Sequence, residues 1–469
     1  MSKTATAFSA TLLALLAGTS AHAQDRGGTD AQLRADTATL AYRNAAVPAP
    51  PGWKGPTFKL SHDYPTQDPG TCPKSECTWL DLKVDFTLPL SGPAPTWGSP
   101  WSDYIERVLD YIKKGQDPAL RNEIGWKATV GSENRWFHVP WMAYDPTRGR
   151  EYVHGMTNER TATLDDFGED VEIDRGISKL LLANGQESTK FFETWAFGVY
   201  NRWGAYAIGR SIGRDGVPIA GTYGGVPAPA GLPFPEGTVV AKLLFTTATP
   251  TDVSYLKDSP AWQTDRHIPK GDEFLCERKI AEVRLIQLDI AVVDSRSPTR
   301  WVFGTFAWNG NKAGKTAWDK LEPVGLQWGS DPWTFPAVAQ SGSIPAHESV
   351  LNKAIGTPQH FGCNERLAGP VDNKLSSCLS CHGGGFAPPI GFAATPTTAP
   401  PIFGFNGQCE VNSVDNAQYF SNNQFPMAYT GGQYQGLLSM DTSLQMQVAF
   451  EQYGQYKQYG KPAGCKASK

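Results

Sequence analysis

The chain has 469 residues, with 42 Lys and Arg against 46 Asp and Glu and a formal net charge of −4. That balance lacks the basic stripe or patch that nucleic-acid binders carry. Charged residues are 19 % and aromatics 11 %, and the 48 Gly and 36 Pro fall short of low-complexity disorder but are many for a helical bundle. The composition fits a folded, loop-rich, β-rich protein with a large aromatic core.

At the N-terminus, Lys3, the short apolar run Phe8–Gly18 and Ala21-His22-Ala23 follow one another in the order of a secretory signal peptide. Residues 1–23 are expected to be removed after Ala23, leaving a periplasmic or secreted protein. No later stretch reaches the roughly 18 apolar residues of a membrane helix, so no membrane span is expected. Residues 24–57 read as a polar lead-in or linker ending in Val47-Pro-Ala-Pro-Pro-Gly52.

Residues 58–345 read as a β-rich body. Trp79–Leu88, Val239–Phe245, Val283–Ile290 and Trp301–Trp308 alternate apolar and polar residues, the pattern of half-buried strands. Trp195–Ile212 reads as two strands around Asn201-Arg-Trp-Gly204. Trp101–Lys114 has helical spacing, with Ser102 as its N-cap. Residues 346–469 form the last region: a Pro-rich loop follows His382, and Leu437–Tyr456 reads as a helix capped by Asp441. The expected fold is α+β, a mainly antiparallel β body with a loop-rich, partly helical C-terminal segment.

Eight cysteines are present, and in an oxidising compartment spare thiols pair. Cys72 and Cys77, five apart in Cys-Pro-Lys-Ser-Glu-Cys, suit a small disulfide loop. The connectivity of Cys276, Cys363, Cys409 and Cys465 stays open. Cys378 and Cys381 stand apart, in Cys378-Leu-Ser-Cys381-His382. C-x-x-C-H is the attachment pattern of c-type haem: two thiols at this spacing reach the two vinyl groups on one porphyrin edge, and the following His becomes an axial ligand of iron. A thioredoxin-like pair would open a helix inside a βαβ unit, and a zinc site would need a second ligand pair; the sequence supplies neither. One covalent haem c per chain is therefore expected, held by Cys378, Cys381 and His382, with His382 on the iron.

The second axial position decides between a closed electron carrier and an open, ligand-binding iron. Met427, in Gln424-Phe-Pro-Met-Ala-Tyr429, is the candidate ligand, with His360 and His347 as outside alternatives; core packing is the competing reading for Met427, Met440 and Met446. The order of C-x-x-C-H, Pro-bearing Met loop and C-terminal helix resembles class I c-type cytochromes, over about 90 residues. The resemblance implies electron transfer with a periplasmic redox partner protein.

A second resemblance lies in Pro233–Phe245, the Trp301–Phe306 strand and the late C-x-x-C-H, which look like the cytochrome P460 and cytochrome c′-β family. The 87 residues after His382 depart from that family. It implies the alternative function, a P460-like or peroxidase-like haem enzyme or a gas-binding haem protein with an open distal site. His138, His154, Arg150 and Arg160, among aromatics, are the residues that such a site would use. Hydrogen-bonded packing is the competing reading for them. Whether the chain is an enzyme, and on what substrate, is left open.

Overall fold

The computed structural model describes residues 51–54, 61–89, 91–120, 135–139, 156–162, 167–168, 179–181, 187–189, 192–212, 217–270, 273–334, 346–390, 419–422, 425 and 437–459. Met427, His154, Arg150, Cys409 and Cys465 lie outside these residues, as do residues 1–23, expected as a signal peptide, and most of residues 24–57.

The body is mainly antiparallel β, with a few helices. Its strands are β1 (Phe137–His138), β2 (Met156–Ala162), β3 (Phe192–Tyr200), β4 (Val239–Thr246), β5 (Ala261–Lys270), β6 (Glu273–Val293), β7 (Trp301–Trp308), β8 (Leu321–Gln327) and β9 (Ser349–Leu351). They form one sheet in the order β1-β3-β4-β6-β7-β8-β9. β2 also pairs with β3, and β5 with the first half of the long β6.

Alternation gives the sheet two unlike faces. Across β3, β4, β6 and β7, the register aligns Phe197, Leu243, Leu288 and Phe306 in one row. All four are buried in the larger apolar core. One residue along, the row is Gly198, Lys242, Asp289 and Thr305. The first face is an oily wall. The second is polar, with Gly198 and Thr305 buried and Lys242 and Asp289 half-buried.

Helix α1 (Trp101–Lys113) covers the apolar face. Its buried residues Trp101, Tyr104, Ile105, Val108, Leu109 and Ile112 recur at helical spacing and form one stripe. Trp101 stacks on Trp328 with centroids 4.3 Å apart, and the Tyr104 hydroxyl donates to Asp294 at 3.0 Å. Ile105 approaches the sheet where β7 carries Gly304; a Cβ there would lie 3.0 Å from Ile105 Cδ1 and 2.9 Å from Ile290 Cγ1. The C-terminal segment covers the polar face through α3 (Cys378–His382) and α4 (Leu444–Tyr459), with α2 (Arg202–Ser211) alongside in the second apolar core.

The strands expected at Val239–Phe245, Val283–Ile290 and Trp301–Trp308 are present, as is the disulfide Cys72–Cys77. Three local readings are corrected. Trp79–Leu88 is a 3₁₀ turn (Thr78–Asp81) followed by chain outside any sheet. Its carbonyls are taken by arginines: Arg107 donates to Thr78 O, and Arg296 to Trp79 O and Leu82 O. Trp195–Ile212 is one strand and then helix α2, because Asn201 caps the helix by accepting from Gly204 N at 3.3 Å while also accepting from Val239 N. Helix α1 begins at Trp101 with Pro100 at its cap, not Ser102. Among the described residues no helix is long and apolar enough to cross a membrane.

Because α1 and the sheet approach each other over a missing side chain, Gly304→Val is expected to overpack the contact. The loss should be about 1–3 kcal/mol of unfolding free energy, read by chemical denaturation.

Candidate haem-binding site

Ser377 caps α3, its side chain accepting from Ser380 N, so C-x-x-C-H forms a single short helical turn. Two buried glutamines on the polar face of the sheet fix this segment in place. Gln327 accepts from Leu379 N at 3.1 Å and donates to Ser377 Oγ at 3.1 Å. Gln287 accepts from Val371 N at 2.9 Å and donates to Asp372 at 3.0 Å. A side-chain amide is both donor and acceptor, so each Gln replaces hydrogen bonds that burial removes from water.

Between α3 and the sheet lies a cavity of about 450 Å³ lined by Cys378, Cys381, His382, Tyr200, Trp301, Phe303, Tyr419, Lys242, Glu159, Asp289 and Asp372, among others. Cys378 and Cys381 are both free thiols, and Cys378 Sγ lies 4.0 Å from Thr305 Oγ1. Burial, then the neighbouring Asp372, pushes both thiols up, Cys381 to about 11. Cys363, by contrast, is disulfide-bonded.

His382 is oriented with care. Its Nδ1 lies 2.8 Å from Thr442 O, and Phe303 packs against its ring with centroids 4.8 Å apart. A proton on Nδ1 donated to that carbonyl leaves the lone pair on Nε2, the arrangement by which proteins prepare a histidine for a metal. Burial lowers the imidazole to about 4, so it is neutral at physiological pH.

The carbonyl is aimed by strained backbone. Asp441 and Thr442 both have positive φ, 48° and 63°, a conformation that costs a β-branched residue free energy unless its surroundings impose it. Here Asp441 is held by Phe234 N at 2.8 Å, Trp301 Nε1 at 3.1 Å and Arg300 at 3.1 Å. Asp441 therefore anchors the turn before α4, and the helix itself starts at Leu444; the Leu437–Tyr456 helix with an Asp441 cap is corrected accordingly. Leu438–Ser439 instead pairs with Phe386–Ala387, just beyond C-x-x-C-H.

The other sequence candidates divide. His138 sits on β1 opposite Val199 and stacks on Phe197 at 5.5 Å, on the apolar face, so the sheet separates it from the cavity. His62 Nε2 lies 3.4 Å from its Nδ1. Arg160 lies in β2. His347 faces Gly92 O at 3.1 Å, and His360 packs near Tyr255; neither lines the cavity. Met440 and Met446 are buried in the second apolar core. Met427 lies outside the described residues.

Sequence reasoning missed Lys242, Asp289, Asp372, Gln287 and Gln327. The alternation of β4 and β6 did mark Lys242, Gln287 and Asp289 as one face, but that pattern assigns such a face to solvent. Among the described residues no group of three or more His, Cys, Asp or Glu has the arrangement of a metal site made by side chains alone. Comparison of the chain with protein-family profiles, with curated proteins and with solved structures finds no match.

A second buried cluster ties the loop before α3 to the end of the sheet. The fully buried Arg366 donates to Ser330 O, Cys363 O and Asp331 O at 2.8–2.9 Å. Asp331 accepts from His347 N and Glu348 N, and Glu348 accepts from Asp331 N and Asn422. Burial, reinforced by Asp331, pushes Glu348 up to about 7. The folded protein thus keeps a proton on Glu348 that the unfolded chain releases near its ordinary value of 4.5. Stability should fall as pH rises across that window, by about 1.4 kcal/mol per pH unit for one proton, and level off above it. Glu348→Gln should remove this component, read as a flatter dependence of the denaturation midpoint on pH.

Proposed function

We propose that the chain is an exported c-type cytochrome with one covalent haem, whose role is electron transfer with a periplasmic redox partner protein. One observation carries the reading. The two free thiols and the imidazole of C-x-x-C-H share one wall of a cavity, with Nδ1 of His382 bound to a backbone carbonyl so that Nε2 is left to ligate iron. The donor set and the aromatic walls suit the group.

Cys378 and Cys381 would hold haem through thioethers, and His382 would be the axial ligand. Met427 stands as the second axial ligand on sequence spacing alone. When bound, haem supplies one-electron exchange between ferrous and ferric iron. The chain's own part is to fix that chemistry. Gln287 and Gln327 lock the attachment segment to the sheet, Thr442 sets the tautomer of His382, and Tyr200, Trp301 and Phe303 wall the cavity with apolar surface, a lever on potential.

Protein matured in a periplasm is expected to keep its haem through acid–acetone extraction, and Cys378→Ala with Cys381→Ala to lose it. Extraction of all haem from the unmutated protein would refute the assignment. The reduced absorption spectrum is expected to be low-spin and unchanged by carbon monoxide. A carbon monoxide shift would mean an open iron and favour the gas-binding or enzymatic alternative.

A further inference from the structure

Acids withdrawn from water are costly, and this cavity wall holds two half-buried ones side by side. Asp289 on β6 and Asp372 on the loop before α3 both accept from the same Gln287 Nε2, at 2.8 and 3.0 Å. Thr305 Oγ1 donates to the same Asp289 oxygen at 2.8 Å, and Gly369 N donates to Asp372 at 2.7 Å. Two carboxyls converging on one amide cannot both ionise without strong repulsion.

Lys242 and the hydrogen bonds from Gln287 and Thr305 offset this repulsion at Asp289 in part. Lys242, the cross-strand neighbour of Asp289, is the single cation among the described residues of the wall. It is bound to Glu159 at 3.3 Å. From α3 the pair meets only Cys378 and Cys381, which carry no charge as thiols or as thioethers. With every acid ionised, the wall would hold three negative charges against one positive. Burial and then Asp372 accordingly push Asp289 up to about 8.

We propose that Asp289 and Asp372 form a proton-binding site that takes up one proton when the haem beside them is reduced and releases it on oxidation. The inference rests on the haem assignment above. The step balances: a one-electron donor protein, or an electrode in its place, adds one negative charge to the cavity. One proton then leaves a solvent hydronium or buffer acid, whose bond to it breaks to give water or the conjugate base, and forms an O–H bond on the carboxylate pair. Reduction removes positive charge from near the pair and so strengthens its hold on the proton; oxidation restores it and weakens that hold. Geometry supports short-range coupling, since Thr305 links the two sites, hydrogen-bonded to Asp289 and 4.0 Å from Cys378 Sγ.

The test is a spectroelectrochemical titration of the haem-loaded protein between about pH 6 and pH 10, a span set by the proton affinity of the pair. The midpoint potential is expected to fall with rising pH near pH 8, the value to which Asp289 is raised. Its slope should approach about 59 mV for each tenfold drop in proton concentration. Asp289→Asn and Asp372→Asn should each flatten this response while retaining covalent haem. In the unmutated protein, reduced-minus-oxidised infrared spectra at the same pH should gain a protonated-carboxyl band, which decides the matter even if a variant fails to fold. A flat potential with no such band, or a slope that survives in Asp289→Asn, would overturn the proposal. Haem attachment is read separately by acid–acetone extraction, so a flat potential in a haem-loaded protein sinks the coupling alone.

Discussion

A β-sheet can bury its polar face only if every donor and acceptor on that face finds a partner in whatever covers it. In this protein that requirement falls on the buried Thr305, Gln287 and Gln327 and, in part, on the half-buried Lys242 and Asp289. The partners are Val371 N, Asp372, Ser377 Oγ and Leu379 N, all in the segment that carries C-x-x-C-H. The same hydrogen bonds that make burial of this face tolerable therefore set the position of Cys378, Cys381 and His382. Removing that segment would expose the face; removing the glutamines would leave buried backbone groups unpaired.

The opposite face asks for nothing but shape. Phe197, Leu243, Leu288 and Phe306 are covered by α1, and the aromatic stack of Trp101 on Trp328 closes one end. A rigid apolar support behind the sheet lets the polar side hold side chains at fixed spacing, as a redox or binding site needs. Left-handed backbone borders the other side of the cavity. The consecutive left-handed residues Asp441 and Thr442 persist because Arg300, Trp301 and Phe234 N grip the Asp441 carboxylate. The outcome of that grip is a single carbonyl pointed at His382.

The cavity's electrostatics come from the same topology. β4 and β6 pair so that Lys242 lies beside Asp289, while Gln287 brings Asp372 in from a loop more than eighty residues later. A cation already engaged by Glu159 next to two carboxyls on one amide leaves a wall poised between charge states. A cofactor that changes charge by one unit would feel that wall, and the wall would feel the cofactor.

Much was legible in the residues alone. Period-two alternation marked β4 and the second half of β6, and the reading extended to β7, although all of its residues are buried. Helical spacing marked α1, and C-x-x-C-H singled out Cys378, Cys381 and His382, which the fold brings to one cavity. Where alternation misled, as at Trp79–Leu88, arginines distant in sequence had taken the carbonyls a strand partner would use. The alternation of Val283–Ile290 could show that Gln287 and Asp289 share a face, but not that the face is buried. That was decided by tertiary structure, since burial depends on which later segment folds over the sheet, and only then do a glutamine and two aspartates become parts of one site.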